Sequence, residues 1–451
     1  MFRIFLLTLL IGFSVQVAAA QPPNIVFILA DDLGYGDLGC FGQSTLKTPN
    51  LDRMASEGMK LTRHYAGSTV CAPSRCVFLT GKHVGHGTVR GNGPGILSSD
   101  DMLISDALKK AGYATGCSGK WGVGNPPPLD DPNQHGFDHF YGYVSMWHAH
   151  NFYPEFLILN GKKSLLRNEV PAQWKTGDGR GVATKKVDYA PDLIAQDALN
   201  FVEKHKDRPF FLYWAMNVPH ANNEARNKGM EVPSWGEFES VDWPEPEKGF
   251  ASMIRNIDRD VGRMLAHLKE LGLDEDTIVI FSSDNGPHQE GGHKADFFNS
   301  NGDLRGNKRD LYEGGVRVPT IVRWPGHVAR SSESDIHSGF QDWFATFTDL
   351  AGVDANPQDG ISLRPVLMGK GKQKTHPHLY WEFLEQGGKQ AVLKGHWKAV
   401  RVNWNAIPDG PIELYDLSKD ESEQTNIASS HPDVVVEMAD IMKREHRPLS
   451  D

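Results

Sequence analysis

Long apolar runs that break off into polar loops organise the first two thirds of the chain. Asn24-Ile25-Val26-Phe27-Ile28-Leu29-Ala30 is apolar without alternation and enters Asp31-Asp32-Leu33-Gly34. A strand buried on both faces reads this way, so the run predicts a parallel sheet covered by helices. The pattern recurs where 209–216 runs into Asn217-Val218-Pro219-His220, and where 277–281 runs into Ser282-Ser283-Asp284-Asn285-Gly286. Between these two, Ile254, Ile257, Val261, Met264, Leu265 and Leu268 fall at helical spacing, with Gly272 as the stop. Strands alternating with helices give an α/β class. In open α/β sheets ligands bind at the carboxyl ends of the strands. Asp31, Asp32, His220, Asp284 and Asn285 are therefore expected to share one site.

The texture changes after Ile361-Ser362-Leu363, where 369–374 reads as a polar linker. Strand-like runs follow at 378–383 and 391–402, then a turn at Pro408-Asp409-Gly410, a further run at 412–417 and a helix over 432–444. This predicts a small antiparallel α+β subdomain from residue 370, behind a main domain of residues 21–369. The first 20 residues have Arg3, an apolar stretch over 4–13 and Ala18-Ala19-Ala20, the marks of a secretory signal peptide cut before Gln21. An uncleaved anchor is the alternative. No later stretch approaches the ~18 apolar residues of a membrane span, so a periplasmic or secreted protein is expected.

Composition narrows the picture. With 451 residues, 39% hydrophobic and 23% charged, the chain is neither disordered nor fibrous. Its 47 Lys+Arg against 57 Asp+Glu leave a net charge of -10 and no basic footprint for nucleic acid. Any anionic substrate must be captured by a local cationic cluster. Four cysteines are too few for a disulfide scaffold.

Cys71-Ala72-Pro73-Ser74-Arg75, continuing to Leu79-Thr80-Gly81, carries the most chemistry. On residue types alone, Cys71 beside Arg75 is either a low-pKa nucleophile or a buried thiol at a turn. The segment resembles the signature of the formylglycine-dependent sulfatases, whose cysteine is oxidised after translation to an aldehyde. Ala30-Asp31-Asp32-Leu33-Gly34, Thr48-Pro49-Asn50-Leu51-Asp52, Gly119-Lys120-Trp121, Asp284-Asn285-Gly286, Leu304-Arg305-Gly306-Asn307-Lys308, Glu313-Gly314-Gly315 and Glu413-Leu414-Tyr415-Asp416-Leu417 extend the resemblance over residues 24–430.

The resemblance implies an alkaline-phosphatase-like α/β domain whose sheet is mostly parallel. It implies one divalent cation, calcium or magnesium, held by Asp31, Asp32, Asp284 and Asn285 together with the modified Cys71. The hydrated aldehyde would attack sulfur, and its second hydroxyl would give sulfate an exit that a serine ester lacks. Arg75 would orient the hydrate, Lys120 and Lys308 would bind sulfate oxygens, and His220 would be the general acid. The expected substrates are sulfated glycans or small sulfate esters, with a formylglycine-generating enzyme as the maturation partner. One position departs from the pattern. Many relatives read Gly-Lys-Trp-His, but here Gly122 follows Trp121, and His83 and His86 are candidate substitutes.

Polar-aromatic segments at 148–153, 89–92 and 286–293 nominate His148, His150, Arg90 and His288 as substrate contacts; ordinary loop packing is the alternative. Removing Cys71 leaves Cys40, Cys76 and Cys117, an odd set, so no essential disulfide is expected. Two rival functions remain at this point: a phosphodiester or phosphonate ester hydrolase on the same scaffold, and a non-catalytic sulfated-glycan-binding relative.

Overall fold

The computed structural model describes residues 21–93, 97–123, 131–174, 177–355 and 358–448. The signal-peptide reading of residues 1–20 lies outside them. The chain builds β1 (Asn24–Ala30), α1 (Pro49–Ser56), β2 (Met59–Leu61), β3 (His64–Tyr65), α2 (Cys71–Thr80), α3 (Ile104–Lys110), β4 (Ala114–Lys120), β5 (His139–Tyr143), β6 (Phe156–Leu159) and β7 (Lys162–Leu165). Then come α4 (Ala190–Lys204), β8 (Phe210–Ala215), α5 (Glu245–Glu270), β9 (Thr277–Ser283), α6 (Glu313–Val316), β10 (Thr320–Arg323), β11 (Ser332–Ser334), β12 (Ser338–Gly339), α7 (Gln341–Leu350) and α8 (Arg364–Leu367). The C-terminal part adds β13 (Leu379–Phe383), β14 (Lys389–Lys394), β15 (Trp397–Val402), β16 (Ile412–Asp416) and α9 (Pro432–Glu445).

Ten strands form one sheet in the order β11-β2-β10-β9-β1-β8-β4-β5-β6-β7. Its centre, β9-β1-β8-β4-β5, is parallel throughout, while β10, β6 and β7 add antiparallel pairings. All seven residues of β1 are buried, as expected for a strand covered on both sides. Ile25, Phe27 and Leu29 face a core shared with α2, α3 and α7, whereas Val26, Ile28 and Ala30 face one shared with α1, α4 and α5. Helix α5 buries Ile254, Ile257, Val261, Met264, Leu265 and Leu268 along one stripe, and Gly272 follows its end at φ +72.

The C-terminal strands form a separate antiparallel sheet, β13-β14-β15-β16, with Met438, Ile441 and Met442 of α9 packed on it. The run 391–402, read from its apolar texture as one strand, is instead two strands. Lys394 pairs with Trp397 across Gly395 and His396, and Gly395 takes φ +58, a left-handed turn that glycine adopts at no steric cost. Among the described residues no helix is long and apolar enough to cross a membrane.

Candidate active site

Four adjacent parallel strands deliver polar groups to one end of the sheet. β1 ends in Asp31 and Asp32, β4 in Lys120, β8 leads to His220, and β9 leads to Asp284 and Asn285. Asp32 sits at φ +68, and its N–H donates to Asp284 Oδ1 at 3.1 Å, so the chain turns sharply where the two acids meet. Helix α2 brings Cys71 in its first turn, where the helix dipole favours negative charge. Gly119 lets β4 end there: at φ +117 it packs so closely on β8 that a Cβ would lie 1.8 Å from the Ala215 carbonyl oxygen.

Every acid meets a cation. Lys120 Nζ donates to Asp31 Oδ2 at 2.7 Å, and Lys308 Nζ to Asp32 Oδ2 at 2.8 Å. Arg75, four residues past Cys71 on the same helical face, donates from Nε and Nη2 to Asp284 Oδ2 at 3.0 and 2.8 Å, and from Nη1 to the Lys120 carbonyl at 2.6 Å. Arg75 thus holds Asp284 and the end of β4 together. Burial pushes the Asp284 carboxyl up to about 7, reinforced by Asp31. Burial would raise Asp31 too, but Lys120, His220 and Arg75 together outweigh it and hold the carboxyl below its usual range. Burial raises the Cys71 thiol, so the unmodified side chain is a neutral thiol at neutral pH and a poor nucleophile.

His220 is fixed by its ring nitrogens: Nδ1 lies 2.7 Å from the Ala221 carbonyl, while Nε2 faces the pocket, 3.1 Å from Lys308 Nζ and 3.4 Å from Asp32 Oδ2. Since a carbonyl only accepts, Nδ1 carries the proton and Nε2 accepts from Lys308. Burial, with Lys308 beside it, lowers His220 to about 3. The His150 ring stacks on His220 at 4.9 Å between centroids and 12° between planes.

The structure places the other three nominated substrate contacts, His148, Arg90 and His288, against partners within the protein. His148 is buried between Tyr143 and Phe156 and lowered by burial to about 4, a packed core residue. Arg90 is spent on Glu382 at 3.0 Å and on the Gly87 and Arg447 carbonyls, tying its loop to the C-terminal sheet and tail. His288 is fully buried, its Nε2 donating to Pro219 O at 2.9 Å and its Nδ1 accepting from the Glu290 N–H at 3.0 Å, so it braces the His220 loop. His83 and His86 do not replace the histidine absent at Gly122. Helix α2 spans ten residues, roughly 15 Å, and carries them past its far end. There they bind Asp359 and Glu445. Gly122 itself, at φ +76, leaves a Cβ only 3.3–3.4 Å from the Arg75 and Lys120 side chains.

Three residues near the nucleophile escaped the sequence reading of roles. Asn92 Oδ1 accepts from the Ala72 N–H at 3.1 Å and lies 3.6 Å from Cys71 Sγ. Glu290 accepts from Lys308 Nζ at 3.2 Å and pairs with Arg309 at 2.6 Å. Asn92 and Glu290 lay in segments singled out for their polarity. Nothing in the pattern marked Arg309 except its place after Lys308.

The cluster fits a hard divalent cation. Asp31 Oδ1 and Asn285 Oδ1 are buried and have no hydrogen-bond partner among the described residues, and Asp31, Asp284 and Cys71 offer ligand atoms within 4.8 Å of one another. The donor set at the strand ends is carboxylate and amide oxygen, which suits calcium or magnesium better than zinc.

The comparisons agree with this geometry. A family model described as Sulfatase matches residues 23–353, and one described as N-sulphoglucosamine sulphohydrolase, C-terminal matches 306–448. The chain is 32% identical over 413 residues to the N-acetylgalactosamine-6-sulfatase of Mus musculus, covering 86% of this chain and 73% of that one. It is 31% identical over 497 residues to the N-acetylgalactosamine-6-O-sulfatase of Bacteroides thetaiotaomicron, covering 94% and 93%. Among solved structures, Ps i-CgsB in complex with a neocarrahexaose superposes with a TM-score of 0.80 at 27% identity, covering 95% and 94%. The acid and lysine cage at the strand ends and the match across three quarters of its length lead to one conclusion: the chain belongs to the sulfatase family, the sulfuric ester hydrolases of the alkaline phosphatase superfamily.

Proposed function

We propose that this protein is exported and removes O-sulfate from a sulfated carbohydrate, with Cys71 working as formylglycine. The observation that carries the reading is the convergence of Asp31, Asp32, Asp284 and Asn285 with Lys120 and Lys308 around the first turn of α2. The relatives' names, two of them sulfatases of N-acetylgalactosamine 6-sulfate, support a sulfated amino sugar as the substrate class.

Asp31, Asp32, Asp284 and Asn285 would hold the cation, calcium or magnesium, which supplies Lewis-acid charge beside the nucleophile. Formylglycine at residue 71 supplies the hydroxyl that attacks sulfur. Arg75 keeps Asp284 and the Lys120 backbone in register with that residue. Lys120 and Lys308 swing from their carboxylates toward the sulfate oxygens and neutralise the charge that builds up during transfer. His220, anchored through Nδ1 on Ala221, keeps Nε2 in the pocket. Nε2, an acceptor at rest, takes up a proton from the Lys308 ammonium beside it and passes that proton to the departing alcohol oxygen. His150, stacked on the same ring, limits its rotation.

The test begins with the tryptic peptide spanning residues 64–75 from protein made in its own host. An aldehyde in place of the Cys71 thiol, and release of sulfate from a sulfated N-acetylgalactosamine, are expected. Unmodified cysteine in a host whose maturation enzyme is demonstrably working overturns the reading. Cys71→Ser is expected to be inactive or to stop after one turnover, and steady multiple turnover by that variant would contradict the aldehyde.

A further inference from the structure

Arg309 stands out beside the cage. It follows Lys308 yet lies in a different environment: the Lys308 side chain is 2% exposed, and that of Arg309 is 30% exposed. Its backbone takes φ +78, a left-handed conformation that costs a non-glycine residue energy and persists only where neighbours impose it. The Arg309 N–H donates to the Thr69 carbonyl at 3.0 Å, two residues before the nucleophile. Lys389 of the C-terminal sheet donates to the Arg309 carbonyl at 2.6 Å and to Asp310 Oδ1 at 3.1 Å. Thr69 Oγ1 donates to the Asp310 carbonyl at 2.6 Å. Both protein units therefore pin this residue against the pocket wall.

Glu290 sets the direction of its side chain. Arg309 Nη2 lies 2.6 Å from Glu290 Oε1, and the other oxygen, Oε2, accepts from Lys308 Nζ at 3.2 Å. One carboxylate thus spaces two cations: the buried one reaches the acid cluster, and the outer one stays open to solvent. Among the described residues Glu290 is the side-chain partner of Arg309, which leaves donors of a five-donor, partly exposed guanidinium without a side-chain acceptor. A planar fork held this way suits a carboxylate or a sulfate.

We propose that Arg309 is a specificity residue that binds a second anionic group of the substrate, one residue outside the sulfate being removed; this rests on the sulfatase reading above. The group is either a carboxylate on a neighbouring uronic acid or a second sulfate on the same sugar. Lys308 takes the scissile sulfate, Glu290 keeps the two cations apart, and Arg309 takes the next charge. Singly charged substrates gain nothing from it.

Binding to the full-length Cys71→Ala protein tests this without turnover, by titration calorimetry. The probes are N-acetylgalactosamine 6-sulfate, its 4,6-disulfate, and the disaccharide joining a uronic acid to the 6-sulfated sugar. At least one doubly charged probe is expected to bind more tightly than the monosulfate and with a steeper salt dependence. Which of the two does so identifies the source of the charge. Arg309→Met should weaken that probe by roughly 10- to 100-fold, the worth of a charge-assisted hydrogen bond, and weaken the monosulfate by at most a few-fold. Arg309→Lys should recover part of the loss. Melting temperatures of both variants report on folding, and the salt dependence of the parent protein needs no variant at Arg309. Equal binding of all probes by the parent, or equal losses in Arg309→Met, overturns the assignment and leaves the sulfate-ester reading intact. Failure to bind any probe removes both.

Discussion

Lys398 is the perturbation whose cost is best defined by the structure. It projects from β15 of the C-terminal sheet into the main domain, where its side chain is fully buried and its Nζ donates to Glu313 Oε1 at 2.7 Å. Glu313 also accepts from the Tyr65 hydroxyl at 2.9 Å, and its backbone N–H donates to Glu423 Oε2 at 2.7 Å. Lys398→Met keeps the length of the stem but leaves two buried carboxylates short of a cation. Breaking a buried pair from one side costs about 3–5 kcal/mol when the remaining charge is left uncompensated; Arg317 Nη1, 3.6 Å from Glu313 Oε2, stays beside it and puts the expected loss at the lower end of that range. With an unfolding entropy of about 2.1 cal/mol/K per residue, a chain of this size loses roughly 3–5 °C in melting temperature.

The pH dependence has a definite sign. Burial already pushes the Glu423 carboxyl up to about 7, with Lys398 opposing it, so removing the lysine raises it further. A carboxyl whose folded pKa lies above its unfolded value of 4.5 carries no penalty when both states are protonated. The loss should therefore be small below about pH 4.5 and grow as pH rises through neutrality. Melts of the parent, Lys398→Met, Glu313→Gln and the double variant, at pH 5 and pH 8, form the assay. The double variant should recover part of the loss, since it leaves one fewer charge stranded. A Lys398→Met melt within 2 °C of the parent at pH 8, or a larger loss at pH 5 than at pH 8, would refute the reasoning.

Gly119→Ala should prevent correct closure of β4 on β8, since its Cβ would stand 1.8 Å from the Ala215 carbonyl oxygen at φ +117. A loss of roughly 3 kcal/mol or more is expected, read as soluble yield and melting temperature, and an unchanged melt would contradict the packing. His64 is buried, with Nδ1 at 2.8 Å from Ser338 Oγ and Nε2 accepting from Trp343 Nε1 at 3.1 Å, and burial lowers it to about 4. A depressed histidine contributes stability that is whole above pH 6.5 and is lost as pH falls toward 4, up to about 3 kcal/mol. Urea midpoints between pH 7.5 and 4.5 should drop accordingly, and less steeply in His64→Gln, which cannot take up the proton. Chelating the cation should lower the melting temperature and abolish sulfate release, with calcium or magnesium restoring both; unaltered melting and turnover after exhaustive chelation would remove the cation from the account.

Much of the site was legible because its carriers are strands buried on both faces. Such strands are continuous in hydrophobicity, so the point where β1, β8 or β9 ends, and hence Asp31, Asp32, His220, Asp284 and Asn285, can be read from the chain alone. The cysteine motif, the helix α5 stripe and the terminal helix were legible for the same reason: each is a local pattern with a local cause. What only the tertiary structure decided is where side chains on loops point. His148 and His150 are two residues apart, yet one is packed into the core and the other stacks on His220. Arg90 and His288 looked like polar loop residues and are spent on Glu382 and Pro219. Glu313 belongs to a recognisable motif, but its use as the socket for Lys398 depends on docking two units that meet 85 residues apart in sequence. Burial and charge pairing are sums over neighbours brought together by the fold. A pattern of 3.6 or 2 residues carries information about one face of one element, and none about which distant charge will meet it.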